Sequence, residues 1–169
     1  MEPSSSPRAA LTRWAALPLR LIVGGGFMIH GFLKLERGVG VFAAALAGLG
    51  IPAPDFMAWC TVVIELVAGT AVFFGAFVSL MCVPMVVVLL VAIAKVHWQF
   101  GFSSIKFLAV TADGLQFGKP GVECDLLYLA AIAALYLAGS DPLSIDCWLE
   151  RMRSSRRQGV QSRPARLLG

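Results

Sequence analysis

The sequence predicts an all-α fold: a membrane-embedded four-helix bundle with both termini cytoplasmic. Three observations predict it. The 169 residues are 58% hydrophobic and 14% charged, with a mean hydropathy of +0.79, against about 25% charged in an ordinary soluble domain. The apolar residues gather in four blocks near the length that crosses a hydrocarbon core of about 30 Å. The Lys and Arg residues are shared unevenly between the two ends of those blocks. Such a composition excludes a soluble enzyme, a disordered protein and a free nucleic-acid binder, and the length suits one domain.

The first block spans 16–33. Arg20 lies one turn inside it, where a long side chain can snorkel to the headgroups. A basic stretch (Arg8, Arg13, Arg20) before an apolar run resembles a signal peptide, but Phe32, Lys34 and Leu35 stand where a small-residue cleavage site belongs, so the block reads as a retained span. Between blocks one and two, Val41, Phe42, Ala45, Leu46 and Leu49 have the spacing of a short amphipathic helix at the interface. Gly50-Ile-Pro-Ala-Pro54 stops it and turns the chain. The second block, 56–77, carries one charge, Glu65, and the third, 79–96, has none until Lys95. These two form a tight hairpin around Gly75–Ser79. The connection from Trp98 to Gly121 is long for a mere linker. The fourth block, 122–139, is shorter and opens with Glu123 and Asp125. Residues 1–15 and the basic tail 140–169 flank the membrane domain, and the Ser/Pro-rich start and Arg-rich end read as disordered.

Charge counts set the topology. The N-terminal segment and tail hold nine Lys and Arg (Arg8, Arg13, Arg20, Arg151, Arg153, Arg156, Arg157, Arg163, Arg166) against five on the other side (Lys34, Arg37, Lys95, Lys106, Lys119). The excess marks the cytoplasmic side, and an even number of spans puts both termini there. The formal charge of +4 is then a topology signal facing anionic lipid rather than a nucleic-acid patch.

Ionisable groups inside spans are costly and usually face a bundle interior or a cavity. Here they are His30, Glu65, Lys95 and His97, with Lys34, Glu123 and Asp125 at the margins. At about 1.5 Å per residue, His30, His97 and Glu123 share the outer layer and Glu65 lies near mid-membrane. His30 and Lys34, at i and i+4, share a face of helix one. Gly24-Gly25-Gly26 and Gly31 thin that helix for a close neighbour. Lys95 points away from His97 and reads as a snorkelling lysine. Two histidines at one level could ligate haem, bind a metal with Glu123, or contact a quinone and relay protons. Neither glutamate has a His three residues on, which argues against a di-iron site, and quinone contact is favoured over haem or metal. The bland alternative is that these groups only cross-link helices. Cys60 and Cys124, both near the outer face, could form a redox thiol pair if their helices are adjacent, or be small apolar residues. Cys82 and Cys147 lie towards the cytoplasmic side.

Arg20-Leu…Gly24…His30-Gly-x-x-Lys34 resembles the opening signature of the DoxX family of membrane proteins. Gly50-Ile-Pro-Ala-Pro54, Glu65 before Leu-Val-Ala-Gly69, His97-x-x-x-Gly101-Phe102 and Gly121-x-Glu123 continue the resemblance, from Leu17 to Asp146. It implies a bundle of four helices in a bacterial-type inner membrane and, by analogy, a link to redox chemistry. Relatives include a subunit of an archaeal thiosulfate:quinone oxidoreductase and proteins tied to oxidative-stress complexes, and related families help to mature other proteins. Two features depart from the pattern: Gln99-Phe100 replaces the more usual Asn before Gly101, and the loop to the fourth helix is longer. The expected protein is therefore a component of a membrane redox system with a soluble or membrane oxidoreductase partner, or else a scaffold or assembly factor. No flavin, nicotinamide-nucleotide or nucleophile motif is present.

Overall fold

The structure, a computed structural model, describes residues 14–112, 114–139 and 141–161, with side chains described up to residue 155. The expected disordered start with Arg8 and Arg13, and Arg163 and Arg166 of the tail, lie outside the described residues.

Helix α1 (Ala16–Arg37) is followed by a short α2 (Val39–Gly48), α3 (Pro54–Phe74) and α4 (Val78–Ala92). The chain then continues through a π turn (Ile93–His97) and a 3-10 turn (Trp98–Phe100) into strands β1 (Phe107–Thr111) and β2 (Gly114–Phe117). Helices α5 (Glu123–Ala138) and α6 (Ile145–Gln161) complete it. The breaks lie at turn-forming residues: Gly38 at φ 92° ends α1, Pro54 occupies the first turn of α3, and Gly75 in the left-handed region caps its end.

Ala16–Arg37, Pro54–Phe74 and Val78–Phe100 are long and apolar enough to cross a membrane. Helix α5, with 16 residues, rises only about 24 Å. Helix α1 packs on α3, α3 on α4, α4 on α5, and α5 back on α1. The shared core is Val23, Phe27, Ala68, Val72, Met85, Ile132 and Leu135. Ile22, Phe32, Val63, Val67, Leu80, Val83, Leu90 and Leu127 are exposed on the outside, an apolar surface that water would penalise and hydrocarbon would not.

The α1–α3 contact is closest because both helices lack side chains at the crossing. A Cβ on Gly24 would lie 2.5 Å from the Phe73 nitrogen, and one on Gly69 would lie 2.9 Å from that of Met28. This is the small-residue packing of membrane helices.

The structure differs from sequence expectation at three places. Arg20 does not snorkel: it is 4% exposed and pairs with Asp141 at 2.7 Å, since a carboxylate within reach inside the fold compensates a buried guanidinium. The tail is helical from Ile145 to Gln161 rather than disordered. The connection from Trp98 to Gly121 contains an antiparallel hairpin, with Val110 opposite Leu115 and a bulge between Phe107 and Ala109.

Candidate functional site

Each of the four packed helices contributes one charged or titratable side chain to a pair near the end that carries α2 and the hairpin. The pairs are Lys34 of α1 with Glu65 of α3, and His97 at the end of the α4 segment with Asp125 of α5.

The first pair follows from the glycine face of α1. Gly31 is buried, and a Cβ there would lie 2.9 Å from the Leu66 side chain and 3.1 Å from the Glu65 Cβ. Helix α3 therefore approaches closely, and Lys34, one turn on, reaches the Glu65 carboxylate. The Glu65 side chain is 6% exposed and that of Lys34 24%. Only Oε1 receives the ammonium; Oε2 is buried without a hydrogen-bond partner among the described residues. Phe42 of α2 lies 4.8 Å from the Lys34 nitrogen, ring to ammonium, so α2, apolar along its whole length rather than amphipathic as expected, covers the lysine with a cation–π contact.

The second pair depends on the irregular end of α4. The π turn Ile93–His97 takes more residues per turn than an α-helix and so rephases the side chains beyond it; such turns are frequent at functional sites. His97 Nδ1 meets Asp125 Oδ2 at 2.5 Å, with Asp125 buried and His97 a quarter exposed. A carboxylate on Nδ1 fixes the ring and leaves Nε2 for another partner. Lys95 points elsewhere and is exposed.

Glu123 does not join these groups. Its Oε2 accepts the Ser104 N–H at 2.9 Å, and its own N–H donates to the Phe102 carbonyl at 2.9 Å. Val122 N–H donates to Gly101 O, Gly121 N–H to Ser103 O, and Cys124 N–H to Ser104 Oγ. A Cβ on Gly121 would fall 2.1 Å from the Gly101 carbonyl oxygen. The residues Gly101–Ser104 and Gly121–Cys124 thus form a clasp that closes the base of the hairpin and fixes the end of α4 against the start of α5.

His30 is exposed on α1, Cys60 is half-buried, Cys124 is exposed, and all four cysteines are free. Among the described residues no three His, Cys, Asp or Glu side chains gather to hold a metal ion. Two apolar grooves, of about 440 Å³ between α4 and α5 and about 400 Å³ beside Ile51, Pro52 and Lys95, are lined by none of His30, Lys34, Glu65, His97 or Glu123. Sequence reasoning placed Asp125 only at the margin and left Arg20–Asp141 unpaired. An Asp two residues beyond Glu123 in the first turn of α5 was the available signal, since the two point in different directions from the helix.

A family model described as DoxX matches residues 15–98. This stretch contains α1 to α4 and the π turn that carries His97, hence Lys34, Glu65 and His97. No curated protein and no solved structure matches the chain.

Proposed function

The chain belongs to the DoxX family, and on that premise we propose that it is a subunit of a membrane redox system, quinone-linked or tied to oxidative stress, in a bacterial-type inner membrane. In this reading α5 is the fourth span, with the bilayer thinned or flanking residues borrowed to match its length. The nine-to-five division of Lys and Arg supports both termini facing the cytoplasm, with the two acid–base pairs towards the outer face.

The observation that carries the reading is the His97–Asp125 contact. Reduction of a quinone takes up a proton with each electron. An imidazole held at Nδ1 by a buried carboxylate is oriented to pass a proton at Nε2. His97 is the proton-relaying group, and Asp125 positions it. The buried, unpartnered Oε2 of Glu65 would accept from a hydroxyl or ammonium donor that reached it, and Lys34 holds that carboxylate in place. Electrons come from a partner oxidoreductase, soluble or membrane-bound, so the chain is a component rather than a self-sufficient enzyme. His30, exposed on α1, and Glu123, whose Oε2 already takes the Ser104 N–H, are further candidates for ligand contact, and Cys60 and Cys124, both free, are the candidate redox thiols.

One observation favours the second reading, a non-catalytic scaffold or assembly factor: each pair joins two different helices, and Glu123 ties a loop. Interhelical polar contacts alone can serve to specify packing. The test is binding of a menaquinone analogue to the full chain in lipid nanodiscs, comparing wild type with His97→Gln, Asp125→Asn and His30→Ala. On the redox reading His97→Gln and Asp125→Asn weaken binding about tenfold, the order of one lost charge-assisted hydrogen bond, while thermal melting is retained. No binding by the wild type, or equal binding by all variants, leaves the scaffold reading.

A further inference from the structure

Helix α6 presents a surface that the rest of the fold does not cover. Ile145, Trp148 and Met152, at i, i+3 and i+7, are 40%, 57% and 44% exposed, and Leu149 lies half-buried beside them. Arg151 and Arg153 are exposed on the same helix, and Arg156 and Arg157 follow within it in sequence. An apolar stripe with an aromatic residue beside a run of arginines is the pattern of a helix that lies in a lipid interface.

A second, independent observation is where the helix is rooted. The Asp146 carboxylate accepts the N–H groups of Phe77 at 2.8 Å and Val78 at 3.1 Å, the first amides of α4. The Asp146 N–H donates to the carbonyl of Gly75, which ends α3. Asp141 holds the buried Arg20 and accepts the N–H of Leu143 at 3.0 Å. The Ser144 hydroxyl bonds the Asp141 carbonyl at 2.7 Å and caps the Cys147 amide at 3.1 Å. A Cβ on Gly75 would strike both Arg20 and Ser144, so the glycine is needed for this junction to close. The first turn of α6 is therefore fixed at the level where α3 stops and α4 starts, the level at which spans leave the hydrocarbon. Phe77, 58% exposed, carries the apolar surface of the spans up to that root.

We infer that α6 docks on anionic phospholipid at this face of the membrane, with Trp148 and Met152 entering the boundary between headgroups and acyl chains and the arginines meeting phosphates. Charge selects the occupant: an apolar stripe alone would suit any lipid or a protein groove, but this basic helix matches an anionic leaflet. The inference needs only the membrane setting of the chain and is independent of the redox reading.

The full chain is reconstituted in nanodiscs of phosphatidylcholine alone or mixed with phosphatidylglycerol. A nitroxide is attached through Met152→Cys in a background whose native cysteines are replaced by Ala, and its collisions with oxygen and with a water-soluble nickel chelate are compared. Docking predicts an oxygen-to-nickel ratio about threefold higher in the anionic discs, as burial about 5–10 Å deep implies, and loss of that difference in Arg151→Gln/Arg153→Gln. If the cysteine-free protein does not fold, quenching of the Trp148 fluorescence by brominated phosphatidylglycerol, taken as wild type minus Trp148→Phe, gives the same reading. A label that stays open to nickel in both discs, or Trp148 unquenched by the brominated lipid, places α6 in water or against protein and overturns the inference. Equal insertion in phosphatidylcholine alone, or equal quenching there by brominated phosphatidylcholine, overturns its anionic selectivity.

Discussion

Lys34→Met removes the ammonium partner of Glu65 while keeping an apolar stem of similar reach. The Glu65 side chain is 6% exposed, and Oε2 lacks a partner, so among the described residues Lys34 alone compensates the carboxylate. Breaking a buried ion pair by deleting one member costs about 3–5 kcal/mol, because a charge is left uncompensated. Lys34 is 24% exposed, and water already screens part of the pair, which places the expected cost at the low end, about 3 kcal/mol. That corresponds to about a hundredfold in the unfolding constant.

The reverse deletion is unequal. Glu65→Gln leaves an ammonium that reaches solvent and retains the Phe42 ring at 4.8 Å, so its cost is about 1 kcal/mol or less. Removing both charges with Lys34→Met/Glu65→Leu leaves no stranded group and should recover most of the loss, as apolar replacements of buried pairs do. Equilibrium unfolding in mixed micelles, followed by far-ultraviolet circular dichroism, measures all three. The reasoning fails if Glu65→Gln costs as much as Lys34→Met, or if the double variant is no more stable than Lys34→Met.

Three further outcomes are expected. Gly24→Ala should destabilise by about 2–3 kcal/mol because its methyl meets backbone atoms, whereas Gly25→Ala, whose Cβ has nothing closer than 3.8 Å, should be neutral or gain about 0.5–1 kcal/mol of helix stability; melting temperatures moving together would refute the packing argument. Nitrogen NMR of histidine-labelled protein should show His97 with its proton fixed on Nδ1, and Asp125→Asn should lose that fixed tautomer, while an unchanged spectrum would mean that the contact does not hold the ring. Asp146→Ala should release the Phe77 and Val78 amides at a cost of about 1–2 kcal/mol, seen as hydrogen exchange roughly five- to thirtyfold faster at those two positions, and unaltered exchange would show that the carboxylate is no cap.

The helices α1, α3 and the α4 segment were legible because hydrocarbon imposes a long apolar run on anything that crosses it. The α2 segment is helical as expected but lacks the expected amphipathic face, since all its residues are apolar or Gly and Val41 is exposed while Ala43 and Leu46 are buried. Partner choice was not legible, because it depends on helical phase. Glu123 and Asp125 are two residues apart and so project about 200° from one another; one reaches a loop amide and the other His97, and no count along the chain decides which. The π turn before His97 rotates the decisive residue by an amount that periodicity cannot supply. His30 and Lys34 share a face by spacing, yet only Lys34 lies beside α3 where Gly31 admits it. The hairpin was missed for a different reason: Phe107, Val110, Leu115 and Phe117 are all exposed, so the alternation of a half-buried strand is absent, and only the Asp113-Gly114 dipeptide between apolar runs signalled a turn.

What geometry adds is the way charge is distributed among the helices. Lys34–Glu65 lies within the α1–α3 couple and His97–Asp125 within the α4–α5 couple, reinforced there by the clasp around Ser104 and Gly121. At that end the ion pairs of the described residues do not run from one couple to the other. The α1–α5 contact is instead made by Phe27 and Tyr128, edge to face at 5.9 Å, with Gly26 giving the tyrosine hydroxyl room. At the opposite end Arg20–Asp141 and the bond from the Asp146 N–H to the Gly75 carbonyl do join the couples, through the chain that follows α5. Parting the couples where the two acid–base pairs lie therefore separates apolar surfaces and breaks neither pair, whereas parting them at the Arg20 end strands a buried guanidinium. Apolar separation costs little where lipid chains can replace the lost contact, and a stranded charge costs several kcal/mol. The junction around Arg20 and Gly75 is therefore the more strongly tied end of the bundle, and the hairpin end is the one where parting the couples breaks no ion pair of the described residues.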